Sequence, residues 1–220
     1  LVLIDESGFM LQPQVRRTWA PIGQTAILDQ CDRRDRVSVV TALSLSPRWR
    51  RVRMFFRLLD HNAKAEDFLW FLGDLRLELG RKLHVVGDNL GAHRRTESRL
   101  AALGCGWARS HRLPSYAPEL NPVEHDWSTS KWGPLAGTPP NDLDHLHCGV
   151  DGELTRQAHS QQLLRSHFRW AELELGWVNL LAHTSIGSTL IVMHFAAAVG
   201  RPATASKLLL GDVEWIGSAR

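Results

Sequence analysis

The sequence is poor in cysteine, has no long apolar run and carries no strong excess of either charge. Cys31, Cys105 and Cys148 stand far apart in 220 residues. An odd number at that spacing fits neither a disulfide framework nor a zinc knuckle and favours a reducing, cytoplasmic setting. The longest apolar stretch, about residues 186–199, is interrupted by Ser188, Thr189 and His194. It falls short of the roughly 20 apolar residues a membrane-spanning helix needs. No signal peptide is readable, and there is no internal repeat or low-complexity segment. The net charge of +3 is too mild to argue by itself for a nucleic-acid partner. What remains is an ordinary globular composition with no membrane partner, long enough to bury a core.

Charge is concentrated, however. Between Asp32 and Arg57 eight arginines face two aspartates, a local balance of +6. Two readings stay open there, a solvated hairpin surface and a phosphate-contacting one to which Arg33, Arg34, Arg51 and Arg53 would contribute. The segment 37–45 is β-branched and apolar, and 52–59 alternates Val52, Met54, Phe56 and Leu58 with Arg53, Phe55 and Arg57. Together they predict an antiparallel pair with Pro47 near the turn. Before them LVLIDESG reads as a buried strand delivering Asp5 to its carboxyl end, and the stretch around Trp19, Pro21 and Gly23 as a second strand and turn.

The period then changes. Phe68, Phe71, Leu72, Leu75 and Leu79 form one helical stripe, with Asn62 as its cap and Gly80 as its stop. KLHVVGD is a strand ending in Asp88, followed by a helix over about 92–103 and a strand near 105–109. A helix over 122–132, opened by Asn121-Pro122 and closed by Gly133-Pro134, comes after the loop HRLPSYAPELNP. Leu143, Leu146, Val150 and Leu154 give a weaker helical stripe. This order predicts an α/β fold, a mixed sheet flanked by helices.

Two acids directly after strands, Asp5 and Asp88, belong on one rim, because ligand-binding residues of α/β sheets gather at the carboxyl ends of strands. Glu124 offers a third carboxylate. Held together, three such groups repel, by about 4 kcal/mol per pair at about 4 Å and an effective dielectric near 20, and hard divalent cations relieve that repulsion. Each acid has another reading: Asp5 as a solvated strand end, Asp88 as a turn or cap residue, Glu124 as half of a capping box with Asn121. Glu119 and Asp126 are the substitutes should Glu124 cap. Asp144, His145, His147 and Cys148 match no standard zinc spacing. Trp19, Trp127 and Trp132 suit either core packing or stacking on bases.

The strings IDESGFMLQP, RRTWAPIGQT, VVGDNLGAH and LPSYAPELNPVEHDWSTSKW resemble the successive motifs of DDE transposases of the mariner-like superfamily, in particular its bacterial insertion-sequence branch. The resemblance implies an RNase H-like catalytic domain over residues 1–170, with Asp5, Asp88 and Glu124 as catalytic metal ligands for two Mg²⁺ or Mn²⁺ ions. It implies DNA cleavage and strand transfer by in-line phosphoryl transfer. Asn89 is expected beside those ligands, and His93 either beside them or packed on the helix that follows. Lys131, seven residues after Glu124 and on the same helix face, suits either a phosphate contact or a solvated lysine. Implied partners are DNA, as transposon ends and target, and a second copy in a homodimer; no small-molecule substrate is expected. The setting would be the bacterial cytoplasm and nucleoid.

The chain starts at Leu1 inside a strand, without the helix-turn-helix region usual in that family, and residues 171–220 look foreign to it. We therefore expect a truncated or frame-disrupted element. A different class of function stays open, a catalytically silent remnant that binds DNA or pairs with an intact transposase.

Overall fold

The computed structural model describes residues 1–12, 17, 19–25, 27, 35–47, 51–137, 139–173 and 175. Its centre is a five-stranded mixed sheet in the order β3-β2-β1-β4-β5. The strands are β1 (Val2–Met10), β2 (Arg36–Leu45), β3 (Val52–Leu59), β4 (Leu83–Gly87) and β5 (Ala108–Arg112). β1, β2 and β3 run antiparallel, whereas β1-β4 and β4-β5 are parallel. The parallel steps are made by crossovers carrying α1 (Ala65–Leu79) and α2 (Gly91–Ala102); α3 (Pro122–Trp132), α4 (Leu143–Ala158) and α5 (Gln161–Trp170) follow. This is the RNase H-like architecture that the sequence implies.

Alternation along the strands splits the core in two. Val2, Ile4, Val40 and Ala42 pack against Phe68, Phe71, Leu72 and Leu75 of α1 and Ala92 and Leu100 of α2. Leu3, Val39, Leu43 and Met54 pack on the other face against Val123 and Trp127 of α3, Leu146, Val150 and Leu154 of α4, and Leu164 and Phe168 of α5. Nine of the ten residues of β2 are buried, as a strand covered on both faces requires. The second cluster also takes in Ala171, Leu173 and Leu175, past the end of α5. Residues 174 and 176–220 lie outside the described residues.

Four expectations need correction. No strand forms among the described residues of 17–27. A turn at Ile22-Gly23 is present, with Gly23 at φ 82°, but Trp19 and Ile22 are fully exposed and have no sheet to bury them. α1 is capped at Lys64 rather than Asn62, because the Asp67 carboxylate accepts the Lys64 N–H at 2.8 Å. β5 begins three residues late, at Ala108. Gly104 takes a left-handed φ of 63° and the chain turns through Gly106 before Trp107 offers its carbonyl to Leu83 N–H at 2.7 Å. Asp5 stands within β1 rather than at its end, since that strand continues to Met10.

Candidate active site

β1 outlasts its neighbour. β4 stops at Gly87, and Leu3 lies opposite Val86 across the parallel pair. Continued by two residues, that register sets Asp5 level with Asp88 on strands about 4.8 Å apart. Alternation turns the Asp5 side chain toward α3 and that of Glu6 toward α2.

α3 is docked along β1 at three points. Asn121, its N-cap, accepts the Val123 N–H at 3.3 Å and donates from Nδ2 to the Ile4 carbonyl at 3.3 Å. Trp127 Nε1 donates to Asp5 Oδ2 at 3.1 Å. Lys131 Nζ donates to Ser7 Oγ at 2.6 Å and sits 5.2 Å from the centre of the Phe9 ring. Glu124, on the first turn, is thereby fixed over the rim, half-buried, while Asn121 rather than Glu124 caps the helix. Burial raises the Glu124 pKa, and the charges of Asp88 and Glu6 add to the rise against the pull of Lys131. Burial, then Glu124 and Glu6, push Asp5 up to about 8 despite the Trp127 hydrogen bond.

On the other face His93 lies between two carboxylates. Its Nδ1 is 2.6 Å from Asp88 Oδ1 and its Nε2 3.2 Å from Glu6 Oε2, ionic contacts rather than aligned hydrogen bonds. Burial opposes a charged imidazole, but the two acids outweigh it and lift the His93 pKa to about 10. For Asp88 burial is also the largest influence and acts upward. Yet His93 and the Leu90 N–H, bonded to Oδ1 at 2.9 Å, hold the carboxyl below its usual range. Gly87 permits this approach, because a Cβ there would meet His93 Nδ1 at 3.2 Å and Ile4 Cγ2 at 3.3 Å.

The rim therefore collects Asp5, Glu6, Asp88 and Glu124, each close enough to perturb at least one of the others. Among the described residues no three such groups already converge to hold an ion, and Asp88 is engaged with His93 instead. The donor set, carboxylate oxygens only, and the raised pKa values of Asp5 and Glu124 suit a hard divalent cation, whose charge relieves the repulsion that burial leaves unscreened.

A family model described as DDE superfamily endonuclease matches residues 1–146. The chain belongs to that family. No curated protein matches it. Among solved structures it is similar to a pre-cleavage Mos1 transpososome, at TM-score 0.58 and 14% identity over 90% of this chain and 54% of that one. It is similar also to the Mos1 strand transfer complex (TM-score 0.55, 18% identity, 78% and 51% of the two chains). The Mos1 mariner paired-end complex with Mn gives TM-score 0.55 and 18% identity over 78% and 52%. At such identities the likeness is one of fold, and the chain spans about half the length of these Mos1 chains.

Within this DDE superfamily chain the sequence-predicted residues fall into separate groups. Asp5, Asp88, Glu124, His93 and Lys131 share the rim, and Asn89 is exposed on the turn beside Asp88. Arg51 and Arg53 lie elsewhere: Leu45, at the end of β2, bonds Leu1 at the amino end of β1, and Ser46 beside it bonds the Arg51 carbonyl. Arg53 is paired there with Glu78 of α1 and stacks over Phe55. Arg33 and Arg34 lie outside the described residues. Trp127 is buried against Asp5, Trp132 is half-exposed, and Asp144, His145, His147 and Cys148 are on α4 away from any metal-holding group among the described residues. Glu6 is a site residue that sequence reasoning missed. Its signal was the alternation that puts it opposite Asp5, together with a histidine five residues after Asp88.

Proposed function

We propose that this chain is the catalytic domain of a DNA transposase of the mariner-like superfamily, from its bacterial insertion-sequence branch. It would cut DNA at transposon ends and join the freed 3′-hydroxyl to target DNA, with Asp5, Asp88 and Glu124 as the catalytic carboxylates. The observation that carries the reading is the placement of Asp5 on β1 and of Asp88 directly after the end of the adjacent parallel β4, with Glu124 on the first turn of the docked α3. Two Mg²⁺ or Mn²⁺ ions bound by these acids would supply activation of the attacking oxygen and charge neutralisation at the leaving one. The protein's own share is positioning. Asn121 and Trp127 hold α3 against β1 and orient Asp5, and Lys131 keeps a cation beside the site where a phosphate would enter. His93, as an imidazolium, favours the ionised form of Asp88. Work on DNA in a bacterial cytoplasm, as a homodimer, completes the proposal; no helix among the described residues is long and apolar enough to cross a membrane.

The test is nicking of supercoiled plasmid in Mg²⁺ or Mn²⁺ by the full chain and by Asp88→Asn. We expect metal-dependent nicking that the substitution abolishes; a variant that nicks as well as the parent refutes the assignment. The engagement of Asp88 by His93 favours a second reading, a silent remnant that binds DNA. Its signature is salt-sensitive DNA affinity with no cleavage in either metal.

A further inference from the structure

The loop between β5 and α3 presents the chain's only tyrosine in a way the fold does not explain. Tyr116 is 100% exposed and takes a left-handed φ of 60°, a conformation that costs a non-glycine residue roughly 1 kcal/mol or more. Its ring buries nothing and so returns none of that cost. The loop around it is nevertheless pinned. Leu113 N–H bonds the Gly87 carbonyl at 2.8 Å, next to Asp88. At the far end Asn121 bonds the Ile4 carbonyl at 3.3 Å, next to Asp5. Leu113 and Leu120 are buried, and Pro114 and Pro118 stiffen the span between them.

Topology fixes where this span runs. It leaves the end of β5, the edge strand, and returns over β1, and β4 lies between those two strands. The loop therefore crosses the carboxyl end of β4, where Asp88 sits. The first turn of α2, which starts from the same end of β4, carries the exposed cations Arg94 and Arg95. An exposed ring on a loop that crosses the acid end of β4, with arginines on the helix that starts from that same end, matches the pairing of stacking platform and cationic track that proteins use on unpaired nucleic-acid strands. The other fully exposed aromatic, Trp19, has no such anchor among the described residues, and Trp70 is on the outer face of α1.

We propose that Tyr116 stacks on a nucleobase adjacent to the phosphodiester held at the acid rim, so that the DNA strand is unpaired at that step. This rests on the nuclease reading above and adds to it which side chain engages the base. The left-handed backbone keeps the ring clear of its own loop, and the flanking prolines spare the entropy of ordering it on binding.

The experiment uses the full chain and a forked DNA duplex whose unpaired arm carries 2-aminopurine. Binding is followed by fluorescence in Ca²⁺, with nicking in Mn²⁺ measured alongside. The wild type should quench the probe, Tyr116→Phe should do the same, and Tyr116→Gly should bind the fork roughly 5- to 150-fold more weakly, the worth of one stacked base. It should bind a fully paired duplex with little change. Because glycine relieves the left-handed strain, that variant should melt no lower than the wild type, which separates lost stacking from lost folding. Equal fork binding by Tyr116→Gly and wild type overturns the proposal while leaving the nuclease reading intact. Loss in Tyr116→Phe as large as in Tyr116→Gly also overturns it, since a hydroxyl contact rather than stacking would then be responsible. A wild type that binds no DNA overturns both readings.

Discussion

Asp126 is a carboxyl group buried to 0% exposure on α3, and neither of its oxygens meets an aligned donor. Burial first, then the charges of Glu153 and Asp5, push its pKa up to about 8 despite nearby Gln157. The folded chain thus holds a proton that the unfolded chain releases near pH 4, so this group's contribution falls as pH rises from about 4 to about 8. Asp5 acts with the same sign over the same window. His93, raised to about 10, adds stability below its unfolded value near 6.5 and loses it as pH climbs through 10. All three make the metal-free protein less stable on the alkaline side. Asp126→Asn keeps the shape and removes the charge, so its melting temperature should exceed the wild type's at pH 8, by the equivalent of at least about 1 kcal/mol, one pKa unit being worth about 1.4. At pH 4 to 5 the advantage should vanish. An equal gain at both pH values would show that the acid is not protonated on folding. From sequence this residue is only a substitute for Glu124, because helical spacing says which face a side chain takes and nothing of how dry that face becomes.

Among the elements, α3 is the most legible in the sequence, because its punctuation is local. Asn121 caps it, Pro122 starts it and Gly133 ends it, where a Cβ would meet the Thr129 carbonyl at 2.2 Å. α1 is legible by its stripe but not by its cap, since Asp67 competes for the Lys64 N–H within the first turn. The start of β5 depends on a non-local bond between Leu83 and Trp107, and α5 has no signal that the sequence reading caught. α5 is held by burial and by a polar knot in which Gln157 of α4 joins Ser130 of α3 at 2.7 Å and His167 of α5 at 3.1 Å. No periodicity announces such a bond. The site depends on how α3 sits on β1, which Asn121 secures. Asn121→Ala removes the cap, about 1 kcal/mol, and leaves the buried Ile4 carbonyl unpaired, about 1–3 kcal/mol. A loss of roughly 2–4 kcal/mol in denaturant unfolding is expected. Nicking should fall by more than the folded fraction does, because Glu124 loses its anchor. A change under about 0.5 kcal/mol would mean the cap bond is dispensable.

At the scale of the whole molecule, a sheet covered by helices on both faces partly buries its rim acids, and ionising Asp5 and Glu124 there is a cost to the fold. A cation that binds only the folded state offsets it, by RT ln(1 + [L]/Kd), about 2.7 kcal/mol at a hundredfold excess over Kd. Mg²⁺ or Mn²⁺ should therefore raise the melting temperature where matched monovalent salt does not. The rise has a pH dependence set by Asp5. Below about 8 Asp5 keeps its proton, and binding must expel it, so the metal shift should be larger at pH 8 than at pH 6. His93 sets no opposing trend in that window, since it stays charged up to about 10. Melting curves with and without Mn²⁺ at both pH values decide the matter. In Asp5→Asn the shift should shrink and lose its pH dependence, because the amide is a weaker ligand with no proton to release. A metal shift that is equal at the two pH values in the parent chain would place the ion away from Asp5, and with it the catalytic centre.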